Sequence, residues 1–456
     1  MADIRPFKAV RPVKAKAAEV AALPYDVYSR EEAAEAVNGK PLSFLNIDRP
    51  ETMFEPDHDM YADDVYMAAK ARYEEQKAEG IYVMDGSECY YIYEQTMNGR
   101  SQTGIAALSS VDDYLNDICK KHEKTVEKKE EDRARHVDTL SAQTGPIFLS
   151  YHARADIDEI VREWKNNHEP ENDFVSEDGI GHRVWVIDDA GTIARISSAF
   201  SKLPCTYIAD GHHRCASAVR AALKRRKAAG EKYDRNAEYN YFLSVLFPDS
   251  ELAIMDYNRV VKDLNGFDCG EFLEALEETF EVELTSLTCE AEKKELVNSS
   301  GTMLGGLRAY ADDVLRPSSK YEVGMYLNGR SYRLKVRPEV IEKYAGDPVK
   351  SLDVSILQDE VLSKLLSIQD PRTDSRIEFV GGIRGLGALV KKADAYTAEG
   401  VKTGRHRLGP SAAFAMYPTS IAELFAVADE GLLMPPKSTW FEPKLRSGLF
   451  IHEFES

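Results

Sequence analysis

One stretch concentrates reactive side chains: Cys205-Thr206-Tyr207-Ile208-Ala209-Asp210-Gly211-His212-His213-Arg214. Two imidazoles, a carboxylate and a guanidinium stand there around a single glycine. Imidazole and guanidinium donate to phosphoryl oxygens, arginine through a planar fork. Gly211 lets backbone approach an anion closely. Asp210 has two roles open to it, holding a magnesium ion or orienting an imidazole. The set suits phosphoryl transfer, which asks mainly for positioning and charge stabilisation. Adjacent histidines rarely share one metal, and no H-x-x-x-H or cysteine pair accompanies them, so zinc fits poorly. The Gly-x-Ser-x-Gly elbow of serine hydrolases is absent from the stretch. The plain alternative is a network that caps a helix.

Two further clusters carry chemistry. His122-Glu123-Lys124-Thr125 packs acid, base and cation into four residues, with Asp132-Arg133 beyond. Lys128 to Glu131, between them, reads as a solvated helix face. Near the C-terminus Pro435, Pro436 and Pro443 forbid regular structure around Lys437, Ser438, Thr439, Trp440, Lys444 and Arg446. A rigid basic loop is a candidate anion site; it reads equally as a closing segment packed by Trp440 and Phe441. Pro436 stands where a Walker A loop needs glycine, and the G-x-x-x-x-G spacing fails, which excludes a P-loop. Asp26, after Pro24, is a turn former or a ligand contact. Gly381-Gly382 is either a tight connection or a second close backbone approach.

The elements that must position these groups follow from local patterns. Thr206 to Ile208 favours a strand, Asp210-Gly211 a sharp turn, and Ala216 to Ala229 a helix. The imidazoles and guanidinium therefore sit at a helix N-terminus, where backbone N–H groups and the helix dipole favour anions. Tyr239 to Phe247 reads as a central strand, completing an α/β unit. Ser29 caps a helix. Pro41 to Asp48 reads as a short buried strand, Asp59 to Glu79 as a helix, and Cys89–Thr96 with Thr103–Leu108 as a hairpin about Asn98-Gly99. A helix over 155–167 and a strand over 182–187 follow. Beyond a boundary near 255–265 come a helix over 272–280, a hairpin about Asn328-Gly329, an amphipathic helix over 354–366 and a strand over 413–417. Ser420 and Glu423 form a capping box. The expected fold is mixed α/β, with one domain over 1–255 and an α+β domain over 256–456 that supplies the basic loop.

Composition sets limits. A chain of 456 residues suits two or three domains. A net charge of −19 argues against broad contact with nucleic acid or an anionic membrane. The cysteines, Cys89, Cys119, Cys205, Cys215, Cys269 and Cys289, form no C-x-x-C pair and suggest neither zinc nor a disulfide framework. No apolar run spans a bilayer and no leader is evident, so a cytoplasmic protein is expected.

Arg5-Pro6-Phe7, Pro24-Tyr25-Asp26-Val27, His122-Glu123-Lys124-Thr125, Ala209-Asp210-Gly211-His212-His213-Arg214 and Pro435-Pro436-Lys437-Ser438-Thr439-Trp440-Phe441 resemble the blocks of a large bacterial family, the domain of unknown function 1015. The resemblance runs over nearly the whole chain and names no reaction. The Asp210–Arg214 block is also similar, more distantly, to the phosphate-binding turn of the ParB/sulfiredoxin-like superfamily, nearest its free serine kinases. In those the histidine precedes Thr-Arg; here His213 replaces the threonine. Sulfiredoxins need a cysteine where His212 stands, and the Gly-Glu-Arg-Arg and basic domain of partition proteins do not appear.

This resemblance implies a ParB/sulfiredoxin-like strand-turn-helix core in the N-terminal half, and ATP or ADP with magnesium as cofactor. The expected function is a nucleotide-dependent phosphotransferase acting on a small hydroxyl-bearing metabolite such as serine or phosphoserine. Gly211, His213 and Arg214, with Lys437, Ser438 and Thr439, hold phosphates. Glu123 or His212 is the general base, and Asp210 positions magnesium. Asp26, His122, Lys124, Arg133, Trp440, Lys444 and Arg446 line the anionic substrate. The alternatives are a nucleotide-binding regulatory switch without turnover and, further off, a DNA-binding or nuclease protein. The phosphotransferase reading requires the 122–125, 210–214 and 437–446 clusters to converge.

Overall fold

The Asn98-Gly99 turn does what its residues dictate: β2 (Tyr90–Met97) folds back on β3 (Arg100–Ser110), with Met97 opposite Arg100. Around this hairpin a nine-stranded mixed sheet is built. Its other strands are β1 (Ile4–Arg5), β4 (Cys119–Lys120), β5 (Ile147–Tyr151), β6 (Asn172–Val175), β7 (Gly181–Ile187), β8 (Thr206–Asp210) and β9 (Tyr241–Pro248). The order is β4–β8–β5–β9–β3–β2–β7–β6, with β1 also on β3. β8 runs parallel to β4 and antiparallel to β5, while β9 runs parallel to β5. Helices α1 (Arg30–Val37), α2 (Asp63–Ala78), α3 (Glu127–Leu140), α4 (Ala155–Asn167), α5 (Ala190–Phe200) and α6 (His212–Ala229) accompany the sheet. Ile105, Ala107, Ile147, Leu149 and Ile208 pack with Ile157 and Trp164 of α4, Phe200 of α5 and Val219 of α6 in one buried cluster. Alternate strand residues share a face, which is why these positions repeat at intervals of two.

The computed structural model describes residues 1–287, 311–312 and 314–454. The mixed α/β chain divides into two units, Met1–Leu252 with Pro443–Ser456, and Ala253–Glu442. The C-terminal segment thus differs from its expected place in a 256–456 domain. Its backbone bonds explain why: Ser447 bridges Ala22, Ile451 bridges Val10, and His452-Glu453 pair with Gln143 and Ala142.

The second unit holds a six-stranded antiparallel sheet. Its strands are β10 (Tyr257–Val261), β11 (Phe280–Leu287), β12 (Glu322–Leu327), β13 (Arg330–Val336), β14 (Ile377–Gly381) and β15 (Ala412–Met416), in the order β11–β13–β12–β15–β10–β14. The Asn328-Gly329 hairpin is present, and Ser420 and Glu423 make both bonds of the capping box on Ile421–Asp429.

Three local expectations differ. Leu45–Asp48 is a short buried helix rather than a strand, because a brief apolar run has no period to separate the two. The helix expected over 272–280 ends at Leu276, and Phe280 opens β11. The 354–366 helix changes at Gln358 into a π-helical turn. Cys89, Cys119, Cys205, Cys215 and Cys269 are free thiols, and Cys289 lies outside the described residues. No helix among the described residues is long and apolar enough to cross a membrane.

Candidate active site

β8 pairs regularly with β5 until its register shifts between Ile208 and Asp210. Such a bulge re-aims the side chain that follows it. Gly211 then takes φ +91, ψ 30, and α6 begins at His212. The left-handed conformation is one reason for glycine. The other is proximity: a Cβ there would lie 3.0 Å from Arg214 Nε and 3.1 Å from its Cζ. The guanidinium lies across the bare turn. Gly211 also has no side chain to cap α6, unlike Ser29 on α1 and Asp189 on α5.

Arg214 is clamped. Its side chain is 8% exposed. Nη1 donates to the Pro146 carbonyl at 2.6 Å and Nη2 to Asp210 Oδ2 at 3.0 Å. Nε is buried with no acceptor among the described residues. Burial lowers the guanidinium's pKa, but Asp26 and then Asp210 outweigh it and the net shift is upward. Lys444 Nζ lies 3.5 Å from the other oxygen, Oδ1, of Asp210. Burial raises this carboxyl, but Lys444 and Arg214 prevail and hold it below the usual carboxylate range.

The 122–126 segment lies on the same turn. The His122 and His212 rings meet edge to face at 4.4 Å. The His122 backbone N–H points at His212 Nε2 at 3.5 Å, and the Val126 N–H donates to His213 Nε2 at 3.0 Å. Burial pushes His122 down to about 4 and carries His212 well below its ordinary value. Both rings are neutral near pH 7. With Nε2 facing an N–H, His212 carries its proton on Nδ1, which faces Glu123 Oε2 at 3.8 Å. Glu123 remains 40% exposed, while the His212 side chain is only 4% exposed.

Two of the expected clusters therefore meet, and Lys444 joins them. The Lys437–Trp440 stretch belongs to the second unit. There Ser438 Oγ donates to the Pro435 carbonyl at 2.6 Å, Trp440 Nε1 donates to Glu442, and the Trp440 ring stands edge-on to Tyr257 at 4.9 Å.

Other expected ligand residues take different parts. Asp26 is exposed in a 3₁₀ turn, Tyr25–Val27, and acts on Arg214 electrostatically. Lys124 is exposed. Arg133 is buried, with Nη1 on the Asp48 carbonyl at 2.8 Å, Nε on Asp132 at 2.9 Å and its plane 4.4 Å over the Tyr25 ring. With Arg214, Asp48 and Thr144 it lines a cavity of about 40 Å³, the scale of one or two waters. Arg446 is an anchor: its guanidinium bonds Ser176, Asp178 and His182. Its Nε and Nη2 are engaged by protein acceptors and its side chain, 4% exposed, is turned to Asp178 rather than to Asp210, which corrects its expected role as a substrate ligand.

Magnesium at Asp210 does not fit either. Both carboxylate oxygens face cations, and a divalent ion there would meet their repulsion. No three His, Cys, Asp or Glu among the described residues group to hold a metal.

Sequence reasoning missed the residues that set Lys444. Gln95 and Gln102 face each other across the β2–β3 hairpin; Gln95 donates to the Lys444 carbonyl at 2.9 Å, and Gln102 donates to Gln95. Two amides at facing, buried positions were the available signal. The Pro146 carbonyl and Asp48 gave none.

A family model described as "Protein of unknown function (DUF1015)" matches residues 4–355. No functionally curated protein matches the chain. Similar solved structures include a free serine kinase variant in complex with ADP, at 14% identity over 74% of this chain and 87% of that one, TM-score 0.30. SbnI with a C-terminal truncation from Staphylococcus aureus is 12% identical over 74% and 82%, TM-score 0.32. A conserved hypothetical protein from Pyrococcus furiosus is 14% identical over 75% and 93%, TM-score 0.29. At these values the likeness assigns no role to any residue here.

Proposed function

The chain belongs to the family of domain of unknown function 1015, and we propose that it is a nucleotide-dependent phosphotransferase acting on a hydroxyl of a small metabolite, with serine or phosphoserine as the first candidates. One observation carries the reading: the exposed Glu123 carboxylate and the clamped Arg214–Asp210–Lys444 set stand at one uncapped helix N-terminus. Arg214, Lys444 and the first turn of α6 would hold phosphoryl oxygens. Asp210 fixes both cations before the ligand arrives, and such preorganisation lowers the cost of stabilising charge in the transition state.

Glu123 is the general base in this scheme. It takes the proton as the acceptor oxygen bonds to the terminal phosphorus, and the nucleotide leaves one phosphate shorter. His212, whose Nδ1 lies 3.8 Å from Glu123 Oε2, orients Glu123 in this scheme rather than accepting the proton itself. His213 pins the start of α3 through Val126.

The test is turnover with ATP, ADP, serine and phosphoserine. Steady formation of the phosphorylated acceptor is expected. Glu123→Gln should lower kcat by about 10²–10⁴-fold while nucleotide affinity is kept. Tight nucleotide binding without any phosphorylated acceptor would instead favour the regulatory switch. Absence of nucleotide binding refutes both.

A further inference from the structure

Arg11, Arg49, Arg133 and Arg446 are buried, and each has a carboxylate: Asp85, Glu51, Asp132 and Asp178 respectively. Arg259, on β10 in the second unit, is 3% exposed and forms no ion pair among the described residues. Among the described residues its guanidinium reaches only the backbone carbonyls of Tyr257 and Lys437, the latter at 3.1 Å, and it lies 5.5 Å over the Phe379 ring. Burial pushes it down to about 10, so it stays charged near neutrality. A buried cation without a counter-charge is destabilising, and folds avoid it unless something else binds there.

A second costly feature sits beside it. Lys437 holds φ +59, a left-handed conformation that a non-glycine residue seldom adopts. That turn presents its carbonyl to Arg259, and its ammonium lies 5.5 Å over the Tyr257 ring. The loop is fixed by Ser438 Oγ on the Pro435 carbonyl and Thr419 Oγ1 on the Ser438 carbonyl. A Cβ at Gly381 would fall 2.8 Å from the Trp440 ring, so the indole seals the backbone of β14. Two cations are thereby held about one tyrosine by a rigid frame.

We propose that Arg259 and Lys437 form an oxyanion site in the second unit that binds a phosphate group, either free or borne by a small molecule. This does not rest on the phosphotransferase reading of the first unit. The bound anion supplies the counter-charge Arg259 lacks.

The test is calorimetry on the full chain with inorganic phosphate, pyrophosphate, phosphoserine and ADP, beside thermal unfolding. On an Arg214→Ala background, which removes the anion site proposed for the first unit, phosphate binding is expected to persist, to weaken at least tenfold with Lys437→Ala, whose side chain is exposed, and to vanish with Arg259→Met. Ligand-free Arg259→Met should melt no lower than the parent, because it loses an uncompensated charge. On the same background, inorganic phosphate binding as tightly as ADP assigns the free ion; ADP or phosphoserine tighter by tenfold assigns the borne group. Affinities within twofold of the parent in Lys437→Ala overturn the proposal, even if Arg259→Met fails to fold. So does Arg259→Met melting lower with its phosphate affinity kept, which makes Arg259 a loop tether. Absence of phosphate binding on the Arg214→Ala background overturns it as well.

Discussion

Replacing Asp210 by asparagine separates charge clamping from metal binding, because the two predict opposite signs. The substitution keeps the shape and removes one negative charge between two cations, Arg214 at 3.0 Å and Lys444 at 3.5 Å. Each attraction is about 5 kcal/mol gross at an effective dielectric of about 20. Breaking a buried pair by removing one partner costs about 3–5 kcal/mol net. Asp210 is 29% exposed, so solvent screening reduces this to about 2–3 kcal/mol. At about 2–4 °C per kcal/mol for a unit of this size, the melting temperature should fall by roughly 5–10 °C. Nucleotide or phosphate should at the same time bind more tightly, by about tenfold, since a carboxylate that competes for Arg214 and Lys444 is gone. Differential scanning fluorimetry and calorimetric titration, each with and without magnesium, read the two effects. An unchanged melting temperature, or weaker nucleotide binding seen only with magnesium, would refute the clamp and return Asp210 to the metal role.

Gly211→Ala should cost about 1–2 kcal/mol for the left-handed backbone alone and displace the guanidinium lying 3.0 Å from the new methyl; nucleotide affinity should drop tenfold or more by calorimetry. Stability should fall as pH drops below 6.5. Unfolded histidine protonates near that value while His122 resists until about 4, so the unfolded state binds more protons, and about 2 kcal/mol is lost by pH 5. Depressed Asp210 adds loss at lower pH, as it falls from about 4 toward its folded value. Urea unfolding of His122→Gln against the parent from pH 7 to 5 should show a flatter profile. Gln95→Leu should free the Lys444 backbone, raising the KM for nucleotide several-fold with kcat little changed; an unaltered KM refutes that positioning role.

Much of the local structure was legible because its causes are local. Asn98-Gly99 fixes a hairpin, Ser420 and Glu423 cap each other's backbone, and Asp210-Gly211 breaks a strand into a helix over a few bonds. The short apolar run before Asp48 misled because burial leaves no period to read, and Arg259 drew no notice because a lone arginine in a strand shows neither its depth nor its missing carboxylate.

The sequence by itself determined that a carboxylate, two imidazoles and a guanidinium would stand at the start of a helix. Backbone preference and spacing act within one turn and need no partner. Only the tertiary structure decided which distant charges complete that turn. Strand pairing brings the C-terminal segment to the first unit, so Lys444 meets Asp210 while Arg446, two residues on, is consumed by Asp178, and Lys437 falls in the second unit beside Arg259. Charge pairing depends on three-dimensional distance and burial, and neither can be read from separation along the chain.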